Sequence, residues 1–228
     1  MSAMAVIVAN LDYLLWGAWP DGALGGLALT LLMGGAAAAG ASLLGIVWGV
    51  TLIWLSPRRA APLAWLTALL RAIPVVMLIF WSYFLLPILF GVDVPGTLTV
   101  VCALTLIGGA YLAQTVRAGI EAIPSGQWQA GLSLGMTRAQ TLRLIVLPQA
   151  LRMMTPSFVN QWISLLKDTS LAYIVGVAEL TFVASQVNNR EQIYPLSVFV
   201  FVALLYLLPC AGLAWLGRRW EARVSQRA

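Results

Sequence analysis

Histidine is absent from this chain of 228 residues, cysteine occurs only twice, and lysine only once. Without histidine the chain lacks a side chain that commonly binds metals and transfers protons near neutral pH, so we expect neither a metal centre nor histidine-based catalysis. Cys102 and Cys210 each lie in an apolar run, where cysteine behaves as a small packed hydrophobe. We therefore expect no disulfide between them.

The single lysine, Lys167, also excludes the phosphate-binding loop of many ATPases. That loop requires the pattern Gly-x-x-x-x-Gly-Lys-Ser/Thr, because its lysine and its glycine-rich backbone hold the phosphates. Lys167 follows Ser-Leu-Leu instead. We therefore expect the chain to bind no nucleotide or other cofactor and to catalyse no ATP hydrolysis itself.

Charged residues of either sign are scarce: they make up 9% of the chain, whereas 61% of the residues are hydrophobic and the mean hydropathy is +0.90. A soluble fold needs more charge than this on its surface. The composition therefore predicts an all-α, polytopic membrane protein. The basic pI, near 9.7, does not indicate nucleic-acid binding, because the 13 basic residues are spread over short loops.

Apolar runs long enough to cross a bilayer recur along the chain, since about 20 residues suffice for one helix. We expect about five spans in a single transmembrane domain covering residues 1–228, with a short interfacial helix before the first span. The spans fall within residues 23–55, 63–92, 96–118, 144–166 and 196–216. A shorter apolar piece, 171–184, is expected to be either re-entrant or partly exposed. The first span is rich in small residues that suit close helix packing, namely Gly34, Gly35, Gly40, Gly45 and Gly49.

The charges segregate to the two sides of this five-span arrangement. The basic side carries Arg58, Arg59, Arg117, Arg138, Arg143, Arg218, Arg219, Arg223 and Arg227. The other side carries Asp12, Asp21, Asp93, Asp168 and Glu191, with Lys167 and Arg190 as its only basic residues. Because lysine and arginine favour the cytoplasmic side, we predict an external N-terminus and a cytoplasmic C-terminus.

One long polar stretch, 121–148, separates the third and fourth spans on the predicted cytoplasmic side. Pro124 and Ser125 favour a helix start, and Gly135 suits a helix end. The run from Thr137 to Gln140 fits a capping box, and the chain then becomes apolar again. The pattern predicts a short helix on the membrane surface, joined by a tight turn to a spanning helix. By shape alone, a solvated amphipathic loop explains the stretch equally well.

The same stretch resembles the cytoplasmic signature loop of ABC-importer permeases, whose pattern is Glu-Ala-Ala, three residues, Gly, nine residues, Ile-x-Leu-Pro. The matching residues are Gln129, Ala130, Gly131, Gly135, Ile145, Leu147 and Pro148. Gln129 replaces the glutamate of the pattern and Gly131 replaces its second alanine. Two further segments, RAIPVVMLIFWSYFLLP and LLKDTSLAYIVGVAEL, are similar to those of polar amino-acid permeases, most of all to glutamate/aspartate permeases.

The resemblance implies a multisubunit importer in a bacterial inner membrane. In that family the short helix docks into a cleft on an ATPase subunit, so the loop 125–148, with Arg138, would couple ATP hydrolysis to transport. The expected partners are two ATP-binding subunits, an external solute-binding protein and a second permease that is either a copy or a paralogue. The two permeases would form a pathway with alternating access, and glutamate or aspartate would be its substrate.

The candidate pathway residues are Arg71, Asn160, Gln161, Ser164, Lys167, Asp168, Thr169 and Ser170. Ionisable residues inside a span are costly and therefore indicate function. The Arg71 guanidinium suits a substrate carboxylate, the α-carboxylate more than the side chain, but it could equally reach the cytoplasmic headgroups or pair with the partner subunit. Lys167 could attract an anion. Alternatively it pairs with Asp168 or with headgroups, while Thr169 and Ser170 cap a following helix.

Two other classes of function fit less well. An intramembrane enzyme would need a catalytic group, but the chain has no histidine and no paired acids within a span. A self-contained secondary transporter would be expected to show an internal repeat, and none is visible. Import of a neutral or basic polar amino acid remains the alternative within the family.

Overall fold

The computed structural model describes residues 3–91, 94–192 and 194–225, and every regular element in these ranges is helical. The α-helices are α1 Ala3–Ala9, α2 Leu11–Trp16, α3 Gly26–Trp54, α4 Pro57–Ala72, α5 Val75–Phe80, α6 Leu86–Phe90, α7 Gly96–Glu121, α8 Ser125–Ser133, α9 Arg138–Thr141, α10 Leu147–Asp168, α11 Leu180–Glu191 and α12 Pro195–Ser225. Two π-helical segments, Trp81–Leu85 and Leu142–Val146, and a 3₁₀ helix, Thr169–Val175, complete them. The predicted all-α class is confirmed.

Three described helices, α3, α7 and α12, are long and apolar enough to cross a membrane. The described residues contain four such spans if the bent pair formed by α4 and α5–α6 is counted as one. The predicted second span is therefore not one straight helix. Its predicted end, Val92, lies outside the described residues, as do Asp93 and Arg227. The predicted fourth span corresponds to α10, whose polar face keeps it out of the apolar set. The count of five spans stays a prediction.

Proline accounts for the irregularities of the second span and of the entry into α10. Pro74 stands just before α5, because proline favours the first turn of a helix but not its interior. The two π segments each end two residues before a proline, Pro87 and Pro148. A proline ring clashes with the carbonyl four residues earlier and offers no N–H, so a locally widened turn relieves the clash.

Backbone contacts divide the chain into two compact units. The first comprises Met1–Ala39, Ile73–Thr105 and Trp162–Leu213, and the second comprises Gly40–Ala72, Leu106–Gln161 and Ala214–Ala228. In the first unit, α1 and α2 pack against α11 and α12, with Val6 and Leu14 each 1% exposed in that core. The N-terminal helix predicted to be interfacial is thus two short helices that are partly built into the protein. That residues 1–228 form a single transmembrane domain stays a prediction.

A buried carboxylate joins helices of the first unit through hydrogen bonds. Glu179 is fully buried and caps α11 by accepting hydrogen bonds from the backbone N–H groups of Thr181 and Phe182, each at 2.9 Å. The Tyr206 hydroxyl on α12 donates to the same carboxylate at 2.8 Å. A backbone bridge between Gly26 and Glu179 adds the start of α3 to this network. Glu179 therefore caps α11 and joins it to α12.

Glycines in α3 allow close packing at some predicted positions and not at others. A Cβ added at Gly45 would lie 2.5 Å from the Leu112 Cβ, and one at Gly49 would lie 2.5 Å from the Val116 Cβ. Leu112 and Val116 both belong to α7, so the two helices approach closely through these glycines in the second unit. The prediction for Gly35 is wrong, because a Cβ there would meet no atom within 4 Å.

We expect Gly45→Ala or Gly49→Ala to destabilise the folded chain by about 1–3 kcal/mol, because the added methyl overpacks the contact with α7. Gly35→Ala in the same helix is the matched control and should be neutral or slightly stabilising, since alanine favours helix more than glycine does. Thermal unfolding of the detergent-purified variants measures the difference. Equal midpoints for all three variants would contradict the packing assignment.

Candidate functional site

The helix predicted on the membrane surface is α8, and local hydrogen bonds define both of its ends. It begins directly after Pro124, as predicted. At its C-terminus the N–H of Gly135 donates to the Leu132 carbonyl at 3.0 Å, and the N–H of Met136 donates to the Gly131 carbonyl at 3.1 Å. This pair of bonds is a Schellman motif, which requires a left-handed residue that Gly135 supplies with φ +76°.

The next helix starts with the predicted capping box. The Thr137 hydroxyl accepts a hydrogen bond from the Gln140 N–H at 3.2 Å, and the Gln140 side chain accepts one from the Thr137 N–H at 2.8 Å. From there α9, the π segment and α10 follow one another without interruption. Ile145 belongs to the π segment, and Leu147 and Pro148 begin α10. The turn between α8 and α9 is therefore short and fully capped.

Most of α8 is exposed, and its C-terminal end is apolar. Gln129, Ala130 and Gly135 are all exposed. Leu132 is 50% exposed and Leu134 is 79% exposed. These leucines lie outside the helices that are long and apolar enough to cross a membrane. An exposed apolar helix end of this kind fits a protein partner better than water.

Gly131 is the one fully buried residue of α8, and its neighbours explain its departure from the alanine of the pattern. A Cβ added at this position would lie 2.6 Å from the Thr141 Cγ2 and 3.2 Å from the Ile145 Cδ1. Thr141 is itself buried, and its hydroxyl donates to the Thr137 carbonyl at 3.1 Å. The β-branched threonine thus takes up the space that a methyl at Gly131 would need.

Arg71 lies in the last turn of α4, half-buried, with its Nε donating to the Thr67 carbonyl at 3.2 Å. Two residues of α7 that sequence reasoning missed join it. The Tyr111 hydroxyl donates to the Arg71 carbonyl at 3.4 Å, and the Gln114 side chain donates to the Thr67 hydroxyl at 3.4 Å. Two polar residues three apart in α7, Tyr111 and Gln114, were the available signal.

The remaining pathway candidates follow one another on α10 and the 3₁₀ helix. Asn160, Ser164 and Lys167 are spaced by four and three residues, so they share one face of α10. Gln161, Asp168 and Ser170 are partly buried, and Asn160 and Lys167 are exposed. Within the described residues no ion pair joins Lys167 to Asp168.

The structure contradicts the capping role considered for Thr169 and Ser170. Both residues lie inside the 3₁₀ helix, which directly continues α10, so there is no free helix start for them to cap. Thr169 is fully buried, and its hydroxyl donates backwards to the Leu166 carbonyl at 2.7 Å. A threonine can satisfy its hydroxyl in this way within a helix, which the sequence pattern does not reveal.

The fold and the capped loop define a membrane permease of the ABC-importer class, and comparison with known proteins identifies its family. Residues 41–226 match the family described as the inner-membrane component of binding-protein-dependent transport systems. The chain therefore belongs to that family.

Its relatives include amino-acid permeases. The chain is 37% identical over 169 residues to the probable glutamine ABC transporter permease protein GlnP of Bacillus subtilis (strain 168), covering 73% of this chain and 77% of the relative. It is 34% identical over 196 residues to the glutamate/aspartate import permease protein GltK of Escherichia coli O6:H1, covering 81% and 82%. The crystal structure of an amino acid ABC transporter with histidines has the same fold, with a TM-score of 0.82, 24% identity, and coverage of 98% and 99%.

We expect Gly131→Ala alone to push α8 away from α9 and to lower the thermal stability of the loop. Adding Thr141→Ala should restore it, because that change removes both atoms nearest to the new methyl. Limited proteolysis within 121–148, compared across the two single variants and the double variant, tests this coupling. Additive effects of the two changes would show that the two side chains do not share the space.

Proposed function

We propose that this chain is the permease subunit of an ATP-driven importer for polar amino acids, with glutamate or aspartate as the substrate. It binds no cofactor and hydrolyses no ATP. Two separate ATP-binding subunits bind and hydrolyse the ATP. A second permease chain, a copy or a paralogue, forms the translocation pathway with it, and an external solute-binding protein delivers the amino acid. The proposal extends the family assignment from the shared fold to a specific substrate class and set of partners.

The observation that carries the proposal is the exposed apolar end of α8. Gln129, Ala130 and Gly135 are open to a partner, and Leu134 is almost as exposed as a free side chain. The Schellman motif and the capping box hold this end rigid, so a force applied to it passes directly into α9 and α10. The role assigned to α8 is to dock on an ATP-binding subunit and to move α10 when ATP is hydrolysed, switching the pathway between outward and inward access.

Charge supports the orientation that this role needs. The second unit, which contains α8 and the C-terminus, holds eleven of the 13 basic residues and two of the eight acidic residues. The first unit, which contains the N-terminus, holds two basic and six acidic residues. By the positive-inside rule the loop 121–148 and the basic C-terminal segment face the cytoplasm of a bacterial inner membrane, on the same side as the ATPase.

Within the pathway, Arg71 is assigned to the substrate α-carboxylate, with Tyr111 and Gln114 as polar neighbours. A guanidinium forks onto a carboxylate, and the contacts to Thr67 and Tyr111 leave most of its N–H donors available. The exposed face of α10 with Asn160, Ser164 and Lys167 supplies further polar groups, and the lysine favours an anionic solute. Because relatives of this chain are named for glutamine as well as for glutamate/aspartate, glutamine is the alternative substrate.

We expect Leu134→Ser to weaken retention of the ATP-binding subunits about tenfold, since exposed apolar anchors at an interface are worth 1–3 kcal/mol each. Ser133→Ala, one residue earlier and also exposed, is the matched control. The measurement is co-purification of the complex, followed by ATP-dependent amino-acid uptake into proteoliposomes. Full ATPase retention by Leu134→Ser would contradict the docking role, and uptake driven by an ion gradient alone would favour a secondary transporter.

Arg71→Ala is expected to reduce uptake of glutamate, aspartate and glutamine alike, because all three carry the same α-carboxylate. ATP hydrolysis and assembly should persist. Arg59→Ala, which changes an exposed arginine of the same helix, serves as control and should leave uptake unchanged. If only the uptake of the acidic substrates falls, Arg71 binds the substrate side chain instead. If uptake does not change, Arg71 binds lipid headgroups or the partner subunit.

A further inference from the structure

A cavity of about 620 Å³ lies in the second unit, away from the exposed end of α8 and from Arg71. One part of its wall is polar or aromatic and includes Trp54, Arg117 and Arg138. Another part is apolar and comes from the start of α4, including Ala61 and Ala64. A volume of this size accommodates a small polar group with part of an attached chain. Of its wall residues, only Arg138 was predicted to take part in coupling, and none was predicted to line the pathway.

The ends of two long helices place this cavity near headgroup depth. At 1.5 Å per residue, the 29 residues of α3 extend about 43 Å, well beyond a hydrocarbon core of about 30 Å. The 26 residues of α7 extend about 39 Å. Trp54 is the last residue of α3, and Arg117 lies in the final turns of α7. Tryptophan at such a position is typical of a membrane interface.

The two arginines of the wall differ in whether a carboxylate neutralises their charge. Arg117 pairs with Glu121, which also lines the cavity, and its Nε lies 2.9 Å from the carboxylate. Arg138 forms no ion pair with any carboxylate of the described residues. Its guanidinium carbon instead lies 5.9 Å from the ring centroids of both Trp54 and Trp128. Aromatic faces orient a cation without neutralising it, so Arg138 presents an uncompensated charge to the cavity.

We propose that this cavity binds the headgroup of an anionic phospholipid, with Arg138 on the phosphate and the first carbons of the lipid against the alanines of α4. The wall joins a cationic part to an apolar part, which matches a headgroup and its glycerol-linked chain. A free phosphate is polar on all sides, and the apolar part of the wall has no hydrogen-bonding groups for it. Basic pockets beside spanning helices are known sites for such headgroups. Exposed Arg58 and Arg59, beside the wall residue Pro57, add positive charge at the rim.

This assignment places Arg138 apart from the residues exposed on α8. Its side chain is directed to the aromatic rings of its own chain, and only Trp128 of these belongs to α8. A bound lipid would brace the end of α3 against the loop 121–148. The inference depends on the family being a membrane protein and does not depend on the substrate or on ATPase docking. Its test therefore measures lipid binding and not transport.

Native mass spectrometry of the purified importer complex, delipidated and then titrated with phosphatidylglycerol, tests the proposal. We expect Arg138→Gln to weaken phosphatidylglycerol binding about tenfold, the effect of losing one charge-assisted phosphate contact. Ala61→Phe, which fills the cavity from its exposed wall and keeps the arginine, should have a similar effect. Arg143→Gln removes an exposed arginine of the same segment that does not line the cavity, and should bind like the parent.

Phosphatidylcholine and inorganic phosphate are the comparison ligands. Weak binding of phosphatidylcholine and no displacement of phosphatidylglycerol by phosphate would support a specific lipid site. The proposal is overturned if Arg143→Gln and Arg138→Gln lose equal affinity, since the binding would then be general electrostatic attraction. Displacement by inorganic phosphate would show a free-anion site, and loss of the ATP-binding subunits from Ala61→Phe without loss of lipid would show a protein partner in the cavity.

Discussion

The ends of a helix leave backbone N–H and C=O groups without partners inside the helix, and the rest of this structure depends on how those groups are satisfied. Between α7 and α10 the chain leaves one helix and enters another, and the turn from α8 into α9 is closed by local hydrogen bonds. The Gly135 Schellman motif closes α8, and the Thr137 capping box opens α9. Because each cap is satisfied by its own segment, α8 can protrude as a rigid element without support from a larger cytoplasmic domain.

The most informative residues of the structure are small or polar and not apolar. Gly45 and Gly49 allow α3 to approach α7, and Gly131 allows α8 to approach α9. Glu179 supplies the N-terminal oxygen acceptors that α11 lacks and shares them with Tyr206. In a chain whose apolar residues suit lipid as well as protein, these few groups determine which helices pack together.

The loop was predictable from the sequence because caps are local. Pro124, Gly135 and the pairing of Thr137 with Gln140 act within a few residues of one another, so spacing alone indicates the helix ends. The break at Pro74 is equally local, because a proline ring kinks or ends a helix wherever it would fall in the interior. The contacts of Tyr111 and Gln114 with α4 join residues 40 and 47 positions apart, and the spacing within α7 does not reveal which partners they meet. The capping alternative for Thr169 was wrong because a hydroxyl can cap forward or bond backwards, and only the neighbouring backbone decides which.

The central claim is that the exposed end of α8 touches an ATP-binding subunit, and crosslinking tests it most directly. A photoreactive amino acid would replace Leu134, 79% exposed in the second unit, or Leu196, 78% exposed in the first unit, and the assembled importer would be illuminated in the membrane. The account predicts a crosslink from position 134 to the ATP-binding subunit and none from position 196. A crosslink to that subunit from position 196, or none from position 134 in an intact complex, would contradict it.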